Sequence, residues 1–377
     1  MDTAPDPSGM VPPPPVITAP PPPKPRRGRG WMIFAIILLV LLLISLFGNF
    51  AQLVSQALTF KGGLSNGISR EVGPNLDECL LKDNDASSKI AVVTVDGIIS
   101  DNMTDQTGYN MVDVIRAELD RAKDDRRVKA VILKVDSPGG EVLASDEINR
   151  LLVKFQNGNN GKPVICSMGS LAASGGYYIS APCRWIVANQ LTLTGSIGVI
   201  METINFRGLM DKIGVEPYVF KSGLYKDMLS GMRSTNEIPA GEHAMVQNLI
   251  DQTYDQFKDV VADGRGDAHA RNKKDGRPLA LDWTNYADGR VLSGSQAYDL
   301  GFVDQLGDFQ DAVDRAKQIA GIRNANLIEY RERYDISNFL RLLGQTELSH
   351  SVKLDLGMEL PRLQAGELYF LSPTFIN

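Results

Sequence analysis

From residue 89 onward the chain alternates short apolar runs with longer stretches whose apolar residues recur every three or four positions. Residues 90–95 and 128–135 read as buried strands, and residues 111–122 as a helix with Ile115, Leu119 and Ala122 on one face. The spacing returns to helix over 141–155, then to a strand at 163–166, with short strands expected at 185–188 and 217–220. A long helix is predicted over 240–261, a charged loop over 267–276, and a helix stopped by Gly301 followed by a short strand within 289–304. A last amphipathic helix is predicted over 309–319, and 339–343 could form a short one, with the rest of 333–377 extended. This rhythm predicts an α/β fold, a mainly parallel sheet covered by helices, over residues 88–332.

Ahead of it the pattern differs. Residues 1–30 hold eleven of the twenty prolines and almost no aliphatic patterning, so they are expected to form a disordered tail. Residues 31–50 are nearly free of polar groups and about long enough to cross a bilayer as one helix. Lys24, Arg26, Arg27 and Arg29 precede that run, which predicts a cytoplasmic N-terminus and a following domain on the extracytoplasmic side. A cleaved signal peptide is the competing reading, disfavoured by its unusual length; Ser55-Gln-Ala57 is a weak cleavage site. Residues 51–87 read as a polar connector.

A hydrophobic content of 43% and a net charge of −6 describe an ordinary globular protein without a footprint for nucleic acid. Cys79, Cys166 and Cys183 form neither a disulfide framework nor a metal pattern, and the latter two are expected to be buried thiols. With three histidines in all, no metal site is expected, and no cofactor motif stands out.

The chemistry concentrates at Ala172-Ala-Ser-Gly-Gly176. Ser174, flanked by small residues where a strand meets a helix, is the candidate nucleophile, with the Gly175 N–H as oxyanion donor. A small-residue helix packed on a sheet would explain the same composition. A second turn, Asp136-Ser-Pro-Gly-Gly140, could offer the Gly140 N–H to the same cleft, although an ordinary turn also fits. A serine nucleophile needs a base. His243, His269 and His350 lack a surrounding motif, which leaves Lys221 and Lys226. A lysine acts as base only when desolvation brings its pKa down from about 10.4, and spacing alone does not choose between the two.

Asp136-Ser-Pro-Gly-Gly140, Ala172-Ala-Ser-Gly-Gly-Tyr-Tyr178, Thr194-Gly-Ser-Ile-Gly-Val199 and Ser222-Gly-Leu-Tyr-Lys-Asp227 resemble, in that order, the bacterial signal peptide peptidase A family. Arg290-Val-Leu-Ser-Gly-Ser-Gln-Ala297 and Leu300-Gly-Phe-Val-Asp304 resemble its later blocks, so the likeness spans about residues 89–321. The resemblance implies a Clp protease/crotonase-like fold and a Ser–Lys dyad of Ser174 and Lys226. It also implies a membrane-bound homo-oligomer that clears remnant signal peptides, with a dyad that can be completed between subunits. Ser196 or Thr194 could support the lysine amine. Two departures stand out: Lys134 occupies a position where Arg is commoner, and residues 1–30 and 333–377 lie outside the shared core. A catalytically silent membrane scaffold and an acyl-CoA enzyme of the crotonase type are the alternatives. The retained Ser174 and Lys226 speak against the first, and the anchor and dyad against the second.

Overall fold

The computed structural model describes residues 34–45, 74–101, 109–273, 275–332 and 369–371. Residues 1–71 and 72–377 form separate compact units. The first contains a helix over residues 34–45 (α1), with its side chains exposed. Among the described residues no helix is long and apolar enough to cross a membrane. The remainder of the span expected at 31–50, the proline-rich tail, and the helix expected at 339–343 lie outside the described residues.

The second unit is the α/β body. In chain order it runs β1 (Leu76–Lys82), β2 (Lys89–Asp96), α2 (Met111–Asp124), β3 (Val128–Ser137), β4 (Gly139–Glu141) and α3 (Val142–Asn157). It continues through β5 (Val164–Ala173), α4 (Gly175–Ser180), β6 (Trp185–Ala188), β7 (Leu193–Gly195), α5 (Arg207–Ile213) and α6 (Ala240–Arg271). It closes with β8 (Val291–Ser293), α7 (Gly294–Asp299), β9 (Gln305–Leu306), α8 (Phe309–Ala320), β10 (Asn326–Glu332) and β11 (Tyr369–Leu371).

The main sheet has the order β1-β10-β2-β3-β5-β6-β9, with β7 added to β5 and β8 to β7. Only β1 with β10 and β7 with β8 pair antiparallel in it. The apolar runs are explained by burial on both faces. Ala91, Val93 and Val95 of β2 join Ile115 and Leu119 of α2 and Ile148 and Leu152 of α3 in one core. Ile90 and Val92 face the other way, against Ala312, Val313 and Ala316 of α8. Cys166 and Cys183 are buried free thiols, as expected.

Several elements differ from the sequence pattern. Residues 217–220 form no strand: Tyr218 and Phe220 are 85% and 94% exposed, on a segment that pairs with nothing in the sheet. Helix α6 runs ten residues past its expected end at 261, through part of the anticipated loop, to Arg271. A long-range ion pair holds this extension. Arg265 and Asp304 pair with both side chains fully buried, and the Arg265 Nη1 also donates to Ala181 O (3.2 Å) and Cys183 O (2.9 Å). The edge strand β1 falls inside the stretch read as connector, and β10 carries the sheet to residue 332.

Candidate active site

The site forms where β3 and β5 end. Their parallel register runs from Val131↔Val164 to Val135↔Met168, then shifts so that Ser137 faces Ala172. The extra residues of β5 are held by Asp136, whose Oδ1 accepts the Leu171 N–H at 3.0 Å. A Cβ on Gly169 would lie 2.8 Å from that carboxylate, so glycine is required at the bulge.

Beyond Ala173 the chain turns through Ser174, at φ 54 and ψ −117, directly into α4. Few L-residues adopt this backbone, and holding one there costs roughly 1–3 kcal/mol. Two hydrogen bonds fix it: Ser174 N–H donates to Gly195 O at 2.9 Å, and Ser174 O accepts the Tyr178 N–H at 2.8 Å. The Ser174 side chain is buried, and its Oγ has no hydrogen-bond partner among the described residues. A buried orphan hydroxyl on a strained strand-to-helix turn marks a candidate functional group, one that would still need a base to act as a nucleophile.

The glycines around it permit close approach. A Cβ on Gly175 would meet Ser145 Oγ at 2.7 Å and Gly140 N at 3.1 Å, and one on Gly176 would meet Ser137 O at 2.8 Å. Gly139 takes φ +103, outside the range of most side chains. The β3–β4 turn is therefore pressed against the start of α4, where the Gly175 N–H has no intrahelical acceptor.

On one side β4 is bonded to Ile99, which donates to Gly139 O (2.9 Å) and accepts from Glu141 N–H (2.8 Å). The N–H and C=O of the intervening Gly140 face the opposite edge, where β11 pairs antiparallel with Phe370 opposite Gly140. On the far side of β11, Tyr369 exchanges two hydrogen bonds with Ile200, both 3.2 Å. The chain's own residues 369–371 thus lie between β4 and Ile200 as an added strand. A Cβ on Gly139 would fall 2.0 Å from the Phe370 carbonyl oxygen and 2.6 Å from Gly175 N, so that oxygen sits beside the amides named as oxyanion donors.

The remaining candidates separate. Thr194 donates its hydroxyl to Ala172 O at 2.6 Å and is committed to joining β7 to β5. Ser196, at φ 49, is held by its N–H on Arg290 O (2.8 Å), and its hydroxyl makes no hydrogen bond among the described residues. Lys221 Nζ binds both oxygens of Asp227 at 2.9 and 3.0 Å, and this contact holds the Asp227 carboxyl below its usual range. Lys226 is exposed, and its ammonium has no hydrogen bond or ion pair among the described residues. The structure does not bring Lys226 to Ser174 within one chain. His243 and His269 both lie on α6, and no cluster of metal-ligating side chains occurs among the described residues.

Ile99 and Ile200 carry no sequence motif. Their part in the cleft comes through backbone pairing and packing.

Residues 156–323 match the profile of peptidase family S49. An Enterococcus faecium protein that carries the name signal peptide peptidase SppA is 36% identical over 261 residues, 68% of this chain and 71% of that protein. The chain belongs to peptidase family S49. Haemophilus influenzae protease 4 is 36% identical over 242 residues, 64% of this chain and 36% of the larger relative. A Methanocaldococcus jannaschii protein named as a protease is 36% identical over 237 residues, covering 62% of this chain and 68% of its own length. As an S49 member with relatives named as proteases, the chain is a serine-type peptidase.

Proposed function

We propose that this chain is a membrane-anchored serine endopeptidase of the bacterial plasma membrane, with its Clp protease/crotonase-like body on the extracytoplasmic side. It hydrolyses remnant signal peptides and other extended apolar peptides. The observation that carries this reading is the orphan Ser174 Oγ, buried on a strained elbow beside two glycine amides. The apolar run at 31–50 behind four positive charges supports the anchor. The name of the Enterococcus relative supports the substrate class.

Ser174 is the nucleophile and Lys226 the base, the latter supplied by a neighbouring subunit. The exposed Lys226, without a partner among the described residues, supports this arrangement, as does its setting on a segment whose Ile204, Leu209, Ile213, Tyr218 and Phe220 are exposed. Docking of that segment on another copy would cover the apolar groups and desolvate the amine, which favours its neutral form. Neutral Lys226 then takes the Ser174 proton as Oγ bonds to the peptide carbonyl carbon. The oxyanion accepts from Gly140 and Gly175 N–H. Collapse breaks the C–N bond, and the Lys226 ammonium protonates the departing amine. Water, deprotonated by Lys226, attacks the acyl-serine, and the proton returns to Ser174 Oγ as the acid leaves. Ser196 hydrogen-bonds the neutral amine; Thr194 shapes the strand beneath.

The test is hydrolysis of an apolar fluorogenic peptide by the full chain, compared with Ser174→Ala, alongside labelling by a serine-directed probe. Loss of turnover and label in the variant is expected. Undiminished turnover in Ser174→Ala would sink the assignment.

A further inference from the structure

We propose that Arg233 is a positioning residue for the base: paired with Glu242, it fixes the turn that carries Lys226 on α6 and takes up the charge of Asp227. This inference rests on Lys226 being the base.

The turn cannot aim a side chain by itself. Residues 215–234 form neither helix nor strand. Within them Lys226 N–H donates to Gly223 O at 3.3 Å, Met228 N–H to Tyr225 O at 3.1 Å and Ser230 N–H to Asp227 O at 3.1 Å. These bonds shape the loop locally, so the direction of Lys226 depends on what ties the loop to a regular element.

Arg233 and Glu242 supply that tie. Both are buried, at 7% and 4% exposure. Arg233 Nη1 donates to Asp227 Oδ1 at 3.0 Å, and Nη2 donates to Glu242 Oε2. The other oxygen, Glu242 Oε1, accepts the Leu229 N–H at 3.0 Å. Leu229 takes φ 64, an uncommon backbone for a side chain of its size. One guanidinium and one carboxylate thus clamp the turn at Asp227 and at Leu229, on either side of Met228. Burial would push the Glu242 carboxyl up, but the Leu229 N–H and Arg233 outweigh it and hold it below the usual range, so the clamp stays charged.

The clamp also sets the charge beside the base. Once docking expels water, a lone carboxylate one residue from Lys226 would favour the ammonium, which cannot accept a proton. Asp227 is not alone: Lys221 binds both its oxygens and Arg233 binds one. The hydrogen bond from Lys221, with the charge of Arg233 added, holds its carboxyl below the usual range. Lys221 is partly exposed and open to screening by salt, whereas Arg233 is not. The other titratable groups around the turn are Tyr225 within it and, on α6, Glu242 and His243, which line one cavity with Leu229 and Ser230. Among the described residues none of these groups binds the Lys226 ammonium.

The experiment follows hydrolysis of an apolar fluorogenic peptide by the full chain across pH, with Lys226→Ala alongside. Variants are checked for subunit assembly by mass and for folding by thermal unfolding. Arg233→Met combined with Glu242→Gln removes the pair without leaving a charged orphan and keeps an acceptor for the Leu229 N–H. Its kcat should fall on the order of tenfold with KM little changed, because Arg233 acts on the base and not on the substrate. The acid limb of kcat/KM should move up by about one pH unit, since Asp227 then favours the Lys226 ammonium. Asp227→Asn should move the limb the opposite way. Arg233→Lys, which keeps the charge but not the fork, should return the limb to its wild-type place with kcat only partly restored. An inactive Lys226→Ala beside Arg233 variants of unchanged kcat and pH profile would overturn the inference and leave the base standing. A lower kcat with the limb unmoved in every variant would reduce Arg233 to structural support and overturn it too. Turnover retained in Lys226→Ala would overturn the base and the positioning role with it.

Discussion

The Ser174 N–H donates to the Gly195 carbonyl at 2.9 Å, and both residues hold positive φ, 54 and 73. Two adjacent strand ends therefore turn through positive φ at one point, a conformation that glycine accepts at 195 and that strains the serine at 174. Replacing Ser174 with Gly should abolish peptide hydrolysis and stabilise the fold by roughly 1 kcal/mol, because glycine accepts this backbone without strain. Denaturant midpoints of wild type, Ser174→Gly and Ser174→Ala would check it, with Ser174→Ala less stable than Ser174→Gly.

Lys226→Ala should be inactive while Lys221→Ala keeps most of its activity, since Lys221 is tied to Asp227. If the base comes from a neighbour, co-assembly of Ser174→Ala with Lys226→Ala should restore about a quarter of wild-type activity on random mixing of subunits. The mixture would be assayed after joint refolding or co-expression. No recovery would place serine and lysine in the same copy.

The strand seated on Gly140 excludes any other peptide from the same edge. Phe370→Asp, which would bury a charge among Tyr178 and Phe257, should release it and raise kcat/KM for short peptides on the order of tenfold. Steady-state kinetics on the full chain would report this, and unchanged values would mean that residues 369–371 do not compete.

Much of the body was legible because buried parallel strands leave nearly continuous apolar runs, as at β2, β3 and β6. The strand-to-helix turn at Ser174 was legible because it needs small neighbours on both sides. The cleft's other wall was not, because Ile99, Ile200 and β11 join through main-chain groups that any residue supplies. The run at 217–220 misled because apolar side chains also occur on exposed faces. The end of α6 depended on Asp304, thirty-nine residues beyond Arg265 and without periodic spacing.

That pair makes its own prediction. Arg265→Met should destabilise the body by about 3–5 kcal/mol, because Asp304 would be left buried without its partner; adding Asp304→Leu should recover most of the loss. Chemical denaturation of the single and double variants would measure it.

Glu118 of α2 is buried, with Oε2 unpartnered among the described residues. Burial, reinforced by the charges of Glu332 and Glu329, raises its carboxyl well above the ordinary range. Between about pH 4.3 and that raised value the folded chain binds the extra proton, so stability falls as pH rises. Glu118→Gln should be more stable at pH 7 by on the order of 1–3 kcal/mol and should flatten the decline. Urea midpoints at pH 5 and pH 8 would show the difference.

The bonds between Ile99 and β4 have a further consequence. They use one margin of that short strand and leave the other to be met by whatever main chain arrives with unspent amides and carbonyls. A well-folded protein has few such groups to lend, because its own ladders and helices hold them. A slack, extended segment has them along its whole length. Admission to this margin is therefore a test of whether a chain has already found its own hydrogen-bonding partners.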